Sequence, residues 1–280
     1  MDVRSFLQRE GITETAALPL EGLKILNAPL LARTLPNAKT ALLFLIPYYV
    51  GTVPGNLSLY ARSKDYHLFA KDLSLRLCAL LKEHYPANDF RVFADHSPID
   101  EVEAAALGGL GVLGNNGLLI NRRYGSFVFI GELLTDLPPK ELGYPPPPMK
   151  KEGCLHCGAC KRACPCHFDG CASGIGQKKG ALTNEEEQLV LKTGLAWGCD
   201  RCQLVCPMNK EAVKTPIPFF YEDRMETLDS KALDALSKEA FEQRAFAWRG
   251  RAVIARNLAL FEENGAIAPT SVNETGETKE

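Results

Sequence analysis

Nine of the ten cysteines lie between Cys154 and Cys206, and their spacing is the first chemistry in this sequence. Cys154, Cys157, Cys160 and Cys164 follow the pattern C-x2-C-x2-C-x3-C-P. Gaps of two residues let one loop wrap an iron–sulfur cubane with three thiolates, while the fourth cysteine, turned away beside its proline, reaches a second cluster. Zinc asks for only four nitrogen or sulfur ligands, usually as two separated pairs, so this run points to iron–sulfur over zinc. Cys199, Cys202 and Cys206 form a second run, C-x2-C-x3-C-P, one ligand short. A pair of [4Fe–4S] clusters needs about eight thiolates, so the missing one is Cys166 or Cys171. Cys166 lies one residue beyond Pro165, where sharing a cubane with Cys164 would strain the loop. Cys171 has Asp169 and Gly170 to turn on, and chain geometry favours it. With the fourth cysteine of each run crossing over, Cys154, Cys157, Cys160 and Cys206 hold one cluster, and Cys164, Cys171, Cys199 and Cys202 the other. Cys78, alone in "LRLCALL", reads as a buried core thiol.

A second candidate is Asp95 in "FRVFADHSPIDEVEAAA". Ser97, Pro98 and Asp100 read as a helix start: cap, N1 proline and N3 acid. Asp95 then sits at the carboxyl end of a strand, where open α/β sheets place their chemistry, though position alone equally allows a cap or turn residue. In a partly apolar pocket its carboxyl would hold a proton near neutral pH. "GLGVLG" (Gly109 to Gly114) matches a dinucleotide fingerprint literally, but it follows a helical stretch and leads into a strand, the reverse of the order that fold requires. His156 and His167 read as neighbours of the clusters rather than ligands.

The elements that must position these groups fall in consecutive zones. Residues 1–144 alternate strands and helices, as an α/β domain does. "TALLFLI" and "FRVFA" read as buried strands, and "HLFAKDLSLRLCALLKEH" as a helix with Leu68, Leu73, Leu77, Leu80 and Leu81 on one side. "LLI" and "SFVFIGELL", joined by "NRRYG", read as a hairpin. "YPPPP" (Tyr144 to Pro148) is a stiff connector. A cysteine-rich zone over 150–214, a helical segment over 215–264 and a tail over 265–280 expected to be disordered follow. The 280 residues, 46% apolar, suffice for one or two cores without disulfides, and a net charge of -2 argues against a dominant phosphate-binding face. The start of the chain does not read as a secretory signal and no run is long enough to span a bilayer, so a cytoplasmic protein without a membrane partner is expected. Clustered cysteines in that reducing compartment mean metal or redox chemistry.

"YARSKDYH", "ADHSPIDEVEAAALGGLGVLGNNGLLINRRYGSFVFIGELLTDLPP", "CLHCGACKRACP", "CASGIGQKKGAL" and "GCDRCQLVCPMN" occur in this order. Together they resemble the epoxyqueuosine reductases, cobalamin-dependent enzymes with two [4Fe–4S] clusters that complete queuosine in tRNA. The resemblance implies an N-terminal corrinoid-binding α/β domain, a ferredoxin-like double-cluster module and a short C-terminal helical segment in place of most of the family's HEAT-like repeats. By position, Asp95 matches the proton-donor aspartate and Cys171 the isolated cysteine that completes the second cluster. Tyr66, His67, Asn115, Asn116, Tyr124, Ser126 and Thr135 fall on stretches lining the corrinoid and substrate cleft. The implied partners are tRNA and an electron donor such as a ferredoxin or flavodoxin. Where the family carries glycine-lysine-asparagine-threonine, this chain reads "GNNG" (Gly114 to Gly117), without the lysine ammonium. Arg244, Arg249, Arg251 and Arg256 form a stretch free of acids that is read either as a phosphate contact or as a solvated helix face. A reductase of a small molecule and a non-catalytic [4Fe–4S] electron carrier are the alternative functions.

Overall fold

The computed structural model describes residues 2–145 and 153–265, so most of the proline connector and the tail read from the sequence lie outside the described residues. The chain divides into two compact units, each assembled from separated stretches. Unit 1 comprises residues 1–48, 67–156 and 211–217; unit 2 comprises 49–66, 157–210 and 218–280.

Unit 1 is built on β1 (Thr15–Pro19), β2 (Thr40–Pro47), β3 (Phe90–Ala94) and β6 (Val128–Thr135), in the order β1-β2-β6-β3. A separate two-stranded ribbon pairs β4 (Val112–Leu113) with β5 (Leu119–Ile120). Its helices are α1 (Val3–Arg9), α2 (Ala28–Thr34), α3 (Tyr66–His84) and α4 (Glu101–Leu107). All eight residues of β2 are buried, as an apolar run covered on both faces must be. On one face Ala41, Leu43 and Leu45 join Ala16, Leu18, Ile130 and Leu134 against Ala104 and Ala105 of α4. Opposite Phe44, β6 carries Gly131, where an added Cβ would lie 2.1 Å from the phenylalanine ring. Only glycine lets that ring lie flat on the strand.

Several expectations change here. The sheet contains α/β elements but all of its pairings are antiparallel, so the rule that placed chemistry at the carboxyl ends of parallel strands does not apply to Asp95. The expected hairpin is absent: β5 pairs with β4, while β6 is drawn between β2 and β3, because its apolar run gains more by filling the sheet centre. The strand "FRVFA" is an edge strand with only Phe90 buried. On α3 the buried stripe is Ala70, Leu73, Leu77 and Leu81, and Leu68 is exposed. The cap of α4 is Asp100, whose carboxylate accepts from Glu103 N–H at 3.2 Å, leaving Ser97 free for another role.

Unit 2 holds α5 (Ala159–Ala163), α6 (Ala172–Gly176), α7 (Asn184–Leu191), α8 (Arg201–Leu204), α9 (Ser230–Ala235), α10 (Lys238–Glu242) and α11 (Arg251–Glu263). Its core joins Trp197, Phe241, Phe246, Ile254, Leu258 and Phe261 to Leu57 and Ala61 of the early stretch. That stretch is tied in by Asn56, whose side chain donates to Leu228 O at 2.6 Å and accepts from Leu228 N at 2.8 Å.

Candidate functional site

In unit 1, β3 ends in two consecutive left-handed residues, Asp95 (φ 58°) and His96 (φ 47°). Asp and His tolerate that region better than most residues, but each such residue still costs about 1–3 kcal/mol, a strain that clusters at functional sites. The turn holds the Asp95 carboxylate out of the sheet, 3.5 Å from His67 Nε2, with 54% of its side chain exposed. The partly apolar pocket expected around Asp95 is therefore not where this carboxyl sits. The acids that are buried are Glu132 and Glu101. Burial pushes Glu132 up to about 8 against the opposing effect of its Ser97 hydrogen bond, and burial with the charges of Asp95 and Asp100 pushes Glu101 up to about 7. A single acid inside the apolar run "FVFIGELL" was the sequence signal for Glu132, since an unpaired acid in a buried strand is rare.

The other expected residues of this unit are distributed unevenly. Asn115 is exposed at the tip of the β4–β5 ribbon and accepts from His156 Nδ1 at 2.9 Å, so this amide holds the cysteine loop's histidine. Asn116 braces the same turn through Leu118 N–H at 3.4 Å. Tyr124 and Ser126 are buried, and the Tyr124 hydroxyl has no hydrogen-bond partner among the described residues. Asn121, which the sequence reading passed over, organises this loop by accepting from Arg123 and Tyr124 N–H and donating to Leu110 O. Thr135 is fully buried and pairs with Phe90, at the end of β3 remote from Asp95. Four residue pairs at about 3.4 Å each separate them, and the Thr135 hydroxyl accepts from Leu137 N–H at 3.2 Å.

Unit 2 holds the first cysteine run from Cys157 onward, Cys154 falling in unit 1, and the whole of the second, and the two repeat one local design. Cys160 lies in α5 and Cys202 in α8, and the two short helices pack against each other. Each is followed by a cysteine before proline: Cys164 at φ -73°, ψ 123° and Cys206 at φ -73°, ψ 120°. Proline forces the preceding residue out of the helical region, so both thiols swing away from their own helix. The Cys199 thiol is pushed up to about 12 by burial, and it feels Cys202 and Cys171. Cys166 is buried and hydrogen-bonds Cys164, with Cys171 within electrostatic reach. A buried thiol raised so far gives up its proton only to a strongly cationic group, which is the demand an iron cluster meets. Among the described residues no three ligating side chains converge at the distances of a single ion; thiolates around a four-iron cubane stand farther apart than that.

The C-x2-C loop itself is anchored from behind. Asp200 is 2% exposed and accepts from Ser58 Oγ at 2.6 Å, Leu59 N–H at 2.7 Å and Gln203 Nε2 at 3.3 Å. Gly198 (φ 77°) passes so close to Ser58 that a Cβ would lie 2.4 Å from the serine Cβ. None of these contacts was visible in the cysteine pattern. Only Arg251 and Arg256 of the basic stretch lie in α11, and three of its four arginines are internal scaffolding: Arg244 donates to Asp223 O, Arg251 to Leu233 O and Leu236 O, and Arg256 to Gly176, Lys178 and Gly180 O, while Arg249 stacks on Trp248. Arg256 thus closes the carboxyl end of α6, which begins immediately after Cys171.

The family model described as epoxyqueuosine reductase QueG, DUF1730, matches residues 31–96. An epoxyqueuosine reductase of Francisella cf. novicida (strain Fx1) is 30% identical over 274 residues, covering 95% of this chain and 72% of the relative. This chain belongs to the epoxyqueuosine reductase family. The family member of Leadbetterella byssophila is 33% identical over 219 residues, 73% of this chain and 70% of its own. That of Escherichia coli (strain K12) is 36% identical over 166 residues, 56% of this chain. The chain spans 42% of the length of that relative and 51% of the Burkholderia pseudomallei epoxyqueuosine reductase. Among solved structures, epoxyqueuosine reductase from Streptococcus thermophilus superposes with a TM-score of 0.74 at 22% identity, over 91% of this chain and 78% of that one. An epoxyqueuosine reductase solved with an epoxyqueuosine-modified tRNA-Tyr stem loop gives 0.75 at 21% identity. These likenesses establish the shared fold. Among the described residues no helix is long and apolar enough to cross a membrane.

Proposed function

We propose that this chain is an iron–sulfur and cobalamin-dependent reductase that converts epoxyqueuosine to queuosine in tRNA. The observation that carries this reading is the match to the Francisella epoxyqueuosine reductase over 95% of this chain and 72% of that relative, which takes in both the Asp95 turn and the two cysteine runs. In this reading residues 1–144 bind corrinoid and substrate and residues 150–214 are the double-cluster module. Cys154, Cys157, Cys160 and Cys206 hold one [4Fe–4S] cluster, and Cys164, Cys171, Cys199 and Cys202 the other. The repeated pre-proline geometry of Cys164 and Cys206 supports the exchange of fourth ligands, and Cys171 is taken as the eighth because Asp169 and Gly170 give it room to turn.

When bound, the corrinoid supplies a strongly reducing cobalt centre fed by single electrons from the clusters, which an external ferredoxin or flavodoxin replenishes. The orphaned Tyr124 hydroxyl and the Asn115 and Asn116 amides suit a ligand whose rim is lined with amides. Asp95, held out of the sheet by its left-handed turn, delivers a proton to the departing epoxide oxygen, and His67 at 3.5 Å orients its carboxyl.

The test is anaerobic reconstitution with iron, sulfide and cobalamin, followed by iron analysis, corrinoid extraction and an assay on tRNA from cells lacking the last queuosine step. Retained clusters and corrinoid with turnover on that tRNA support the reading, and Asp95→Asn keeps both cofactors while losing turnover. Clusters without corrinoid identify an electron carrier instead. Corrinoid with no turnover on the tRNA points to a small-molecule reductase.

A further inference from the structure

Behind Asp95 the fold buries two acids that the proposed reaction has not used. Glu132 is fully buried at the centre of the sheet, between Leu43 of β2 and Phe93 of β3. One of its oxygens accepts from Ser97 Oγ at 2.5 Å, and the other has no hydrogen-bond partner among the described residues. Ser97 is itself aimed by Ile99 N–H, which donates to its oxygen at 3.0 Å. Glu101, the first residue of α4, also buries a carboxylate oxygen without a partner. Glu132 feels Glu101, and Glu101 feels Asp95 and Asp100. Lys24 is engaged on the outer rim, 2.9 Å from Asp100 and 3.9 Å from Glu103. Glu132 pairs opposite Phe93, two residues before Asp95, and α4, which begins at Glu101, packs against β6, so the acids are gathered with Ser97 and apolar strand residues. Like-charged carboxyls in a dry site cannot all ionise, so the most buried of them retain a proton at neutral pH.

We propose that Glu132 and Glu101 are a proton reserve behind Asp95, holding the second proton of the reaction and passing it outward to that aspartate. The inference rests on the reaction proposed above. Converting an epoxide to an alkene breaks both carbon–oxygen bonds, forms the double bond, and releases water at the expense of two electrons and two protons. The electrons arrive through the iron–sulfur clusters. Asp95 gives the first proton to the departing oxygen; Glu101, backed by Glu132, reprotonates Asp95 for the second, and solvent refills the pair after turnover. Neither glutamate touches substrate in this scheme: they are positioning and supply residues.

The experiment is carried out on the reconstituted holoprotein with Glu132→Gln and Glu101→Gln, reading the infrared carbonyl band of protonated carboxyls against pH and, in parallel, kcat and KM against pH on epoxyqueuosine-containing tRNA. Glutamine keeps an acceptor for Ser97, so a purely structural role predicts a wild-type profile. The reserve predicts a protonated-carboxyl band at pH 7 that is missing in Glu132→Gln, a fall in kcat of about a hundredfold with KM unchanged, and a displaced alkaline limb. Either an absent band in the wild type or a Glu132→Gln enzyme with wild-type kcat and limb overturns it. In that case Asp95→Asn remains inactive and the reaction stands. A wild-type holoprotein with no turnover overturns the reaction and the reserve's role together, and is thereby distinguished from failure of the reserve alone.

Discussion

A fully buried acid that keeps its proton makes folding depend on pH in a defined direction. Glu132 binds its proton up to about pH 8 in the folded chain, against an ordinary value of 4.5 when unfolded, chiefly because burial penalises its charge. Below pH 4.5 both states are protonated and the group is neutral to stability as pH changes. Between 4.5 and about 8 the unfolded chain releases the proton while the native one retains it, so stability falls as pH rises, by about 1.4 kcal/mol per unit. From pH 5 to 8 this amounts to about 4 kcal/mol, an upper figure because Glu101, raised to about 7 with the same sign, shares the coupled titration. Glu132→Gln removes the titrating group while retaining the Ser97 contact. The variant should therefore be the more stable protein at pH 8, with a stability loss between pH 5 and 8 smaller than the wild type's by several kcal/mol. Anaerobic urea unfolding at pH 5, 6, 7 and 8, with m-values held equal, measures both slopes. Parallel slopes for wild type and variant would refute the assignment of a retained proton to this residue.

Replacing Asp200 by Asn turns one accepting oxygen into a donor facing Ser58 or Leu59 N–H; a cost of about 1–3 kcal/mol and loss of bound iron are expected, measured by denaturant unfolding and iron analysis. Ser58→Ala, which removes one hydrogen bond, should cost about 1 kcal/mol and leave iron content intact. Cys171→Ala should halve the iron per chain and remove one cluster's signal in spin resonance, whereas Cys166→Ala should leave both near wild type; the opposite pattern makes Cys166 the eighth ligand.

What could be read in the sequence follows from how local the determining physics is. The cysteine runs, the β2 run "TALLFLI" and the α3 helix depend on spacing within a few residues, and the strand and the helix appear where expected. Pairing partners are not local: Leu119 and Ile120 look like half of a hairpin until β6 is claimed by β2 and β3. Ser97 carries the pattern of a cap, but its hydroxyl gains a buried carboxyl 35 residues away, and Asp100 takes over the helix start. The arginines of the last helix read as a charged surface because a sequence does not show which carbonyls they meet. A consecutive cut of the chain likewise could not anticipate that residues 49–66 belong with the cysteines.

That last arrangement bears on the order in which the molecule is made. Ser58 and Leu59 leave the ribosome some 140 positions ahead of Asp200, the carboxylate that engages them. Contacts so distant along the chain close slowly, and until they close the thiol loop has no backing. Metal loading of the second run must then wait until Asp200 has reached the early stretch. An excised 150–214 fragment, lacking the early stretch, would not behave as a freestanding miniature ferredoxin.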